Sequence, residues 1–598
     1  MTEQPTSQFP SVNFPDPVAA RNALGDIFVN AFKMTKASAG HALSPPEPLA
    51  FDPMDKANAL FAFGMALYSQ PGLVARAQLK AWEEWSALWA STFQRVIGGE
   101  AGSVIEPSRG DRRFSDPSWT QQPWFAHLKE SYLLVGRQID ELVDATEYLD
   151  NETKLRVGFM VRQYMDAVSP TNFAPTNPQA IRKTMETGGI NLLAGLANLL
   201  ADAADKRGVV KRRSGEAWEL GVNIAATPGS VIFQNDLFQL IQYQAATDQV
   251  ARRPLLYVPP LVNKYYLMDL QPRSSLLKWL VDQGRTVFAV SWVNPGPELR
   301  DKDFGDYVTE GVVAALDAVR DATGEPDADI AAFCMGGTLS AAAAAWLAQQ
   351  GEGDRVGSLT LIGTLLDFSD MRDWSVFTSH GDLQAMARKV QPKGYVEAHE
   401  LQQLFSMMRA NDLIWSSVVS HYLLDQEAPP SDILWWFADG ARIPAAFLTS
   451  YAELLLKDNR LRDPGAIVVK DVALDLGLVK SPVMMISLKD DHVSAWEGTY
   501  HGAQLFGGAV QFLLGGSGHN AGVINPPAAN KHGYWTADAL PDSAQAWIAA
   551  ATKQSGSWWP EWQAWLTGLD PAFLPAREVG GGGLEPLEPA PGSYVRVR

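Results

Sequence analysis

The sequence contains one cysteine, Cys334, among 598 residues. A lone cysteine cannot form a disulfide within the chain, and it excludes a zinc site built from several thiolates. The chain also lacks an uninterrupted apolar run of about 18 residues, the length that a membrane-spanning helix needs. Its first residues, MTEQPTSQFP, have neither the basic start nor the apolar stretch of a signal peptide. We therefore expect a soluble cytoplasmic protein without a transmembrane segment.

The chain has fewer basic residues than acidic ones. The chain has 49 lysines and arginines against 67 aspartates and glutamates, which gives a formal net charge of −18. This balance argues against nucleic acid or an anionic membrane as the main partner, although a polyanionic substrate could still be held by a local basic pocket. With 46% hydrophobic residues a large core is readily built, and 598 residues are long for one core. We expect two domains plus tails.

The first third of the chain has helical periodicity. Residues 1–20 are polar and proline-punctuated and are predicted to be disordered, and residues 21–205 are predicted to form an N-terminal α-helical domain. Aromatic and apolar side chains recur there at three- and four-residue steps and form one stripe: Leu79, Trp82, Trp85, Trp89 and Phe93. We favour a packed core or interface face for this stripe. The alternative is an amphipathic surface that docks on something apolar.

After residue 206 short apolar strands alternate with amphipathic helices. The predicted strands are 255–258, 287–292, 329–333, 358–362, 483–488 and 510–514. This alternation indicates βαβ units and a mostly parallel sheet covered on both faces. It pauses at about 367–480, which we interpret as a helical cap inserted over the sheet. Residues 206–575 then form the α/β domain, and 576–598 a loop-like C-terminal tail.

Cys334 lies on the turn between a predicted strand and a predicted helix. The pattern Ala332-x-Cys334-x-Gly336 follows the G-x-S-x-G nucleophile elbow, with alanine at the first small position. A lone cysteine is more often an inert buried side chain. The strand–turn–helix context nevertheless favours a nucleophile. The predicted fold class is therefore an α/β-hydrolase fold with a mostly parallel sheet, an inserted helical cap and an N-terminal α-helical region.

An acid and a histidine follow the later strands in the order that this fold requires. Asp490, Asp491 and His492 come directly after strand 483–488, and His519 follows strand 510–514. The pattern alone does not separate Asp490 from Asp491. We interpret His519 as the base and His492 as a structural or neighbouring residue, because His492 belongs to the strand of the acid.

Two backbone N–H groups are expected to bind the oxyanion. The first is that of Met335, directly after the nucleophile, and the second comes from Val262 or Asn263 in the loop that follows the first strand. Such a site predicts acyl transfer through a covalent cysteine intermediate. A thiol nucleophile suits a thioester substrate, although cysteine hydrolases of this fold would also fit.

Several motifs resemble those of class I polyhydroxyalkanoate (poly(3-hydroxybutyrate)) synthases. In chain order they are TPG at 227–229, VPP at 258–260, NKYY at 263–266, FCMGGT at 333–338, GSGH at 516–519, GVINPP at 522–527 and PAPGSYV at 589–595. The resemblance covers nearly the whole chain, with the motifs in order. It implies polymerisation of (R)-3-hydroxyacyl-CoA into polyester with release of CoA, and no metal or redox cofactor.

The resemblance also implies roles for individual residues. Cys334 would be the acylated nucleophile, His519 its general base and Asp491 the acid. Trp436 matches a family tryptophan linked to the active-site cap or the dimer, although Phe437 follows where the family has asparagine. The family works as homodimers on polymer granules and prefers short-chain monomers such as 3-hydroxybutyryl-CoA. We therefore expect a cytoplasmic, granule-associated homodimer.

Two other functions remain open at this point. A thioesterase or polyester depolymerase with a cysteine nucleophile would accumulate free hydroxy acid instead of polymer. A non-catalytic protein of the granule surface would dock through the aromatic stripe and would form no acyl-enzyme.

Overall fold

The computed structural model describes residues 16–38, 49, 52–108, 110–204, 218–427 and 430–598. The chain divides into two compact units, one of residues 1–214 with 403–429 and one of residues 215–402 with 430–598. Residues 1–15 of the segment predicted to be disordered lie outside the described residues. Its last residues, 17–20, are helical, so the predicted boundary at residue 20 is wrong.

The first unit is helical. Its N-terminal part contains α1 (Pro17–Ser38), α2 (Pro53–Tyr68), α3 (Pro71–Val96), α4 (Ser118–Gln121), α5 (Pro123–Ala145), α6 (Asn151–Ala167), α7 (Pro178–Thr187) and α8 (Ile190–Ala203). Proline begins α1, α2, α3, α5 and α7, a position where its missing N–H and fixed φ suit a helix. Helix α3 ends at Val96, and Gly98 just beyond it has a φ of +82°, a conformation that glycine adopts without strain.

The aromatic stripe lies on α3 and is largely exposed. Leu79, Trp82, Trp89 and Phe93 are 65%, 72%, 61% and 66% exposed, and the helix instead buries Leu88 and Ser91. The interpretation of the stripe as a packed core is therefore wrong for a single chain. Helical spacing identifies an apolar face, but it does not show whether another element covers that face.

Residues 403–429 were predicted to belong to the cap, but they cluster with the N-terminal helices. Asn191 on α8 donates from Nδ2 to the carbonyl oxygen of Leu423 at 2.7 Å, and Tyr422 donates to Asp202 Oδ2 at 2.8 Å. A Cβ at Gly195 of α8 would lie 2.0 Å from the Tyr422 carbonyl oxygen, so only glycine permits this approach. The predicted cap is thus divided between the two units.

The second unit is built on strands. They are β1 (Gly229–Gln234), β2 (Phe238–Tyr243), β3 (Gln249–Ala251), β4 (Leu255–Val258), β5 (Val287–Trp292), β6 (Ala328–Phe333), β7 (Val356–Ile362), β8 (Tyr395–Val396), β9 (Ile443–Pro444), β10 (Val468–Val469), β11 (Val472–Ala473), β12 (Val483–Leu488), β13 (Val510–Gly515), β14 (Tyr534–Thr536), β15 (Thr552–Gln554), β16 (Phe573–Pro575) and β17 (Glu588–Pro589). The bounds predicted for β4, β5 and β12 are confirmed.

Eleven of these strands form one sheet in the order β15-β14-β13-β12-β7-β6-β4-β5-β2-β1-β17. The stretch from β13 to β5 is parallel, and antiparallel strands extend it at both sides. Every residue of β4, β5, β6 and β12 is buried, as expected for parallel strands with both faces covered. The predicted α/β-hydrolase architecture is confirmed.

The α-helices of the second unit are α9 (Leu276–Asp282), α10 (Phe304–Asp306), α11 (Ala314–Thr323), α12 (Met335–Gln349), α13 (His380–Val390), α16 (Asp432–Ala438), α17 (Ala445–Tyr451), α18 (Trp496–Ala503), α19 (Ala544–Ala550) and α20 (Trp559–Leu569). Helix α15 (Ser416–Val418) belongs to the first unit, and α14 (Ala398–Met408) spans the boundary at residue 403. Within the described ranges no helix is both long and apolar enough to cross a membrane.

The C-terminal residues are not the loop-like tail that was predicted. Strand β17 pairs with β1 at the edge of the main sheet, and Val595 is buried in the hydrophobic core of the second unit. The tryptophan cluster before it is also ordered, because Trp559 begins α20 and is fully buried. These residues complete the sheet edge and the core.

Candidate active site

Cys334 occupies a strained turn between β6 and α12. Its φ is +54° and its ψ is −126°, a combination that residues other than glycine rarely adopt. The turn is held by two backbone hydrogen bonds, from the Cys334 N–H to the Ile362 carbonyl at 2.9 Å and from the Gly337 N–H to the Cys334 carbonyl at 2.8 Å. This geometry projects a half-buried free thiol from the end of the central strand.

Close packing around the turn explains the glycines that follow the cysteine. A Cβ at Gly336 would lie 2.5 Å from the carbonyl oxygens of Val258 and Pro259, at the end of β4. A Cβ at Gly337 would lie 2.0 Å from Thr364 Oγ1. Alanine at 332, where the elbow motif has glycine, is fully buried in β6 and paired in register, so the strand accommodates its methyl group.

His519 and Asp491 lie together at the ends of β13 and β12. His519 Nδ1 is 2.6 Å from Asp491 Oδ2, and both side chains are buried. The Phe333 ring lies 4.7 Å from the imidazole, centroid to centroid. Gly363 leaves room on another side, where an added Cβ would be 3.2 Å from His519 Cε1. The imidazole is therefore confined by packing as well as by its carboxylate partner.

The carboxylate of Asp491 is itself fixed by donors. The backbone N–H groups of Val493 and Ser494 donate to its Oδ1 at 2.7 and 2.9 Å, and Ser494 Oγ lies 3.1 Å from Oδ2. Burial alone would raise the pKa of Asp491, but His519 and these hydrogen bonds outweigh it and lower the pKa. Asp490 is exposed, so the structure separates the two aspartates that the sequence could not.

The imidazole is biased toward its charged form. Burial alone would lower the pKa of His519, but Asp491 and Cys334 raise it through their charges and through the hydrogen bonds that their side chains accept from the imidazole. The imidazole and the carboxylate are thus in hydrogen-bond contact, and the thiol lies close enough to raise the pKa of the imidazole. Such an arrangement can hold a proton on the imidazole next to a thiolate and later return it.

Other residues contact this group without having been found in the sequence. Ser494 Oγ lies 2.7 Å from the Gly363 carbonyl oxygen as well as near Asp491, so it ties the end of β7 to the acid. Tyr257 and Tyr451 are buried near Cys334. Burial is the main cause of the raised pKa of each phenol, and the charge of Cys334 is the second. Only their positions in space identify these residues, because none belongs to a recognisable pattern.

One predicted oxyanion donor, the N–H of Met335, follows Cys334 directly in the chain. Met335 is the first residue of α12, where a backbone N–H has no acceptor within the helix. The loop after β4 starts beside it, since Gly336 touches the Pro259 carbonyl. In this loop Asn263 pairs with Gly440 in an antiparallel bridge, and its side-chain Nδ2 is buried with no hydrogen-bond partner among the described residues.

The remaining predicted residues lie around this loop and the acid. The carbonyl oxygen of Val262 accepts from the Ala441 N–H at 3.1 Å. Trp436 is buried and donates from Nε1 to the Lys264 carbonyl oxygen at 2.7 Å, so it contacts the loop. His492 is half-buried beside Asp491, whereas the carboxylate of Asp491 bonds to His519.

Two tryptophans donate hydrogen bonds to the loop that carries His519. Trp558 Nε1 donates to the Gly522 carbonyl oxygen and Trp559 Nε1 to the Val523 carbonyl oxygen, each at 3.0 Å. Both indoles are fully buried. Buried donors that are satisfied by loop carbonyls hold the loop in one conformation, which keeps His519 in place.

Comparison with known families bears on both parts of the chain. The model described as "Poly-beta-hydroxybutyrate polymerase (PhaC) N-terminus" matches residues 110–280, and the model of the alpha/beta hydrolase fold matches residues 268–526. The second match includes Cys334, Asp491 and His519.

Curated relatives match over most of their length. The poly(3-hydroxyalkanoate) polymerase of Methylorubrum extorquens is 42% identical over 531 residues, which cover 88% of this chain and 87% of that protein. The polymerase subunit PhaC of Rhizobium meliloti is 40% identical, covering 89% and 87%. That of Cupriavidus necator is 39% identical, covering 88% and 89%.

Proposed function

The chain belongs to the poly(3-hydroxyalkanoate) polymerase family, and from this premise we propose that it polymerises (R)-3-hydroxyacyl-CoA through an acyl-Cys334 intermediate. The observation that carries the proposal is the 2.6 Å contact between the His519 imidazole and the Asp491 carboxylate, together with a Cys334 thiol close enough to raise the pKa of that imidazole. In this proposal Cys334 is the nucleophile, His519 the general base and Asp491 the residue that orients the imidazole.

The first half-reaction is acylation. The Cys334 sulfur attacks the thioester carbonyl, and the oxyanion is met by the N–H groups of Met335 and of Val262 or Asn263. The carbon–sulfur bond to CoA then breaks, and the proton held by His519 passes to the departing CoA thiolate. The products are acyl-Cys334, free CoA and a neutral imidazole.

The second half-reaction forms the ester. The neutral His519 accepts the proton from the hydroxyl group of another hydroxyacyl-CoA as its oxygen attacks the acyl-Cys334 carbonyl. The bond to sulfur breaks and leaves the thiolate beside the imidazolium. The lengthened chain, still a CoA thioester, acylates Cys334 again and releases CoA. Atoms and charges balance over the cycle with the CoA thioester alone, so we propose that no metal or redox cofactor takes part.

Incubation of the purified protein with (R)-3-hydroxybutyryl-CoA tests this proposal. We expect CoA release to be matched by insoluble polyester, and intact mass to show one acyl group on the protein. CoA release with free 3-hydroxybutyrate and no polymer would instead establish a hydrolase. A panel of thioesters with longer side chains tests the short-chain preference that we propose. The aromatic ring of Phe333, the residue before the nucleophile, packs against His519 and supports that preference.

We further propose that the exposed face of α3 binds the polyester granule. A large exposed apolar surface marks an interaction site. In this protein the product is itself an apolar solid, which provides a surface for Trp82 and Trp89. A cytoplasmic homodimer at the granule surface is the working form that we propose.

The double variant Trp82→Glu/Trp89→Glu is expected to weaken binding to polyester particles at least about tenfold, since each buried aromatic side chain contributes on the order of 2 kcal/mol. Turnover of soluble substrate should stay unchanged. Ala87→Glu/Gln94→Glu adds the same charge at exposed positions on the side of α3 away from Trp82 and Trp89, and serves as the control. Co-sedimentation with particles measures binding, and light scattering measures oligomeric state. If the tryptophan variant only breaks a dimer and still sediments with particles, α3 is a subunit interface instead.

A further inference from the structure

A buried ion pair lies behind the loop that follows β4. Lys264 Nζ is 2.8 Å from Asp439 Oδ1 and donates to the Val595 carbonyl oxygen at 2.6 Å. Tyr266 donates its hydroxyl to Asp439 Oδ2, also at 2.8 Å. The Lys264 and Asp439 side chains are only 5% and 7% exposed. One ammonium thus joins the loop, the residue after α16 and the C-terminal segment.

A buried ion pair of this kind is expected to add little to the free energy of unfolding. Burial lowers the pKa of Lys264, and the charge and hydrogen bond of Asp439 only partly offset that cost. Replacing a buried ion pair by well-packed apolar residues is often neutral or stabilising. The Lys264–Asp439 ion pair is therefore better explained by the backbone geometry that it fixes than by a contribution to stability.

The geometry in question is that of the loop backbone. The Lys264 carbonyl oxygen accepts from Trp436 Nε1 at 2.7 Å, and the Val262 carbonyl oxygen accepts from the Ala441 N–H at 3.1 Å. The peptide before Asn263 and the peptide after Lys264 are therefore fixed by α16 and the residues just after it. Donors to an oxyanion must lie within about 2.7–3.1 Å of it, so a small rotation of these peptides would misplace them.

We propose that Lys264 and Asp439 are positioning residues for acyl transfer, because their ion pair locks the loop that carries the second oxyanion donor. This inference rests on the proposed function, since it assigns the pair to one half of that reaction's oxyanion site. The pair acts through the loop backbone and touches no reacting atom. It should therefore affect the rate of the chemical step more than the binding of substrate.

Lys264→Met keeps the length of the side chain and removes the charge. We expect kcat to fall about 10²-fold, because loss of one oxyanion donor costs about 10²–10³. KM should change by less than about threefold, since the loop contributes to the transition state and not to ground-state binding. Single-turnover acylation of Cys334, followed by intact mass, should slow by the same factor. Lys264→Arg, which retains a buried donor to Asp439, should recover most of the rate.

Arg253 provides the matched control, because it lies at the opposite end of the same strand, just before β4. Its Nε is 2.7 Å from Asp327 Oδ2, and its side chain is 13% exposed. Arg253→Met should lower the Tm by a similar amount and leave kcat unchanged. The double variant Lys264→Met/Asp439→Leu should be no slower than Lys264→Met, since the two residues act as one unit.

Three outcomes decide the matter. If the wild-type protein releases no CoA and is not acylated, the proposed function itself fails, whatever Lys264 does. If the wild-type protein turns over while Lys264→Met keeps its kcat, or Arg253→Met loses as much, the positioning role is overturned. Asp439→Asn keeps the shape of the site and provides the same test if Lys264→Met does not fold, with a drop in kcat at constant KM expected.

Discussion

Cys334→Ala is expected to abolish CoA release and polymer formation together, with turnover falling by about 10⁴-fold or more. The sulfur is the atom that carries the acyl group in the proposed cycle, and alanine offers no nucleophile in its place. Because the thiol projects from a strained turn whose backbone bonds do not use the side chain, the fold should survive the change. Turnover is measured by CoA release and by polymer mass.

The single cysteine makes the readout unambiguous. Intact mass after brief exposure to substrate should show one acyl group on the wild-type chain and none on Cys334→Ala, since the sequence offers no second thiol. A circular dichroism spectrum of Cys334→Ala that matches the wild-type spectrum would show that the variant is folded. CoA release within about tenfold of wild type would refute a nucleophilic role, because no remaining triad member can supply it.

The sequence predicted the parallel strands well because most of their residues are apolar and buried. Strands β4, β5 and β12 were bounded correctly for this reason. Strands β1 and β2 were missed, since GSVIFQ and FQLIQY mix amides with apolar residues. The buried amide of Gln239 bonds to Gln234 and also to the distant Glu588, a partner that no local pattern reveals.

The sequence predicted those residues of the candidate site that directly follow a strand, but not the contacts between distant parts of the chain. Asp490 and Asp491 are neighbours in the chain, and only the turn after β12 decides which carboxylate is buried. The Lys264–Asp439 pair joins residues 175 positions apart and depends on how α16 meets the loop. Contacts at that separation depend on the complete fold, so local periodicity and motif spacing cannot predict them.

Asp491→Asn is expected to lower turnover by about 10⁴-fold, with Asp490→Asn as a control that leaves it unchanged. The N–H groups of Val493 and Ser494 require an oxygen at the Oδ1 position, so the new amide nitrogen must take the Oδ2 position facing His519. It would then donate to Nδ1 and force the imidazole proton onto Nε2. An Nε2 that already carries a proton cannot accept one from the attacking hydroxyl group.

The same substitution should change the pH dependence of stability. The pKa of Asp491 is lowered, so its contribution is present above the unfolded value of about 3.9 and is lost as pH falls through the folded pKa. The pKa of His519 is raised to about 10, so its contribution is complete below the unfolded value of about 6.5 and is lost as pH rises through the folded pKa. The Tm difference between wild type and Asp491→Asn should therefore be largest at about pH 5–6.5 and narrow steadily toward pH 10. A Tm difference that stays constant from pH 6 to 10 would show that the His519–Asp491 charge pair does not form, and with it the orienting role of Asp491 would fail.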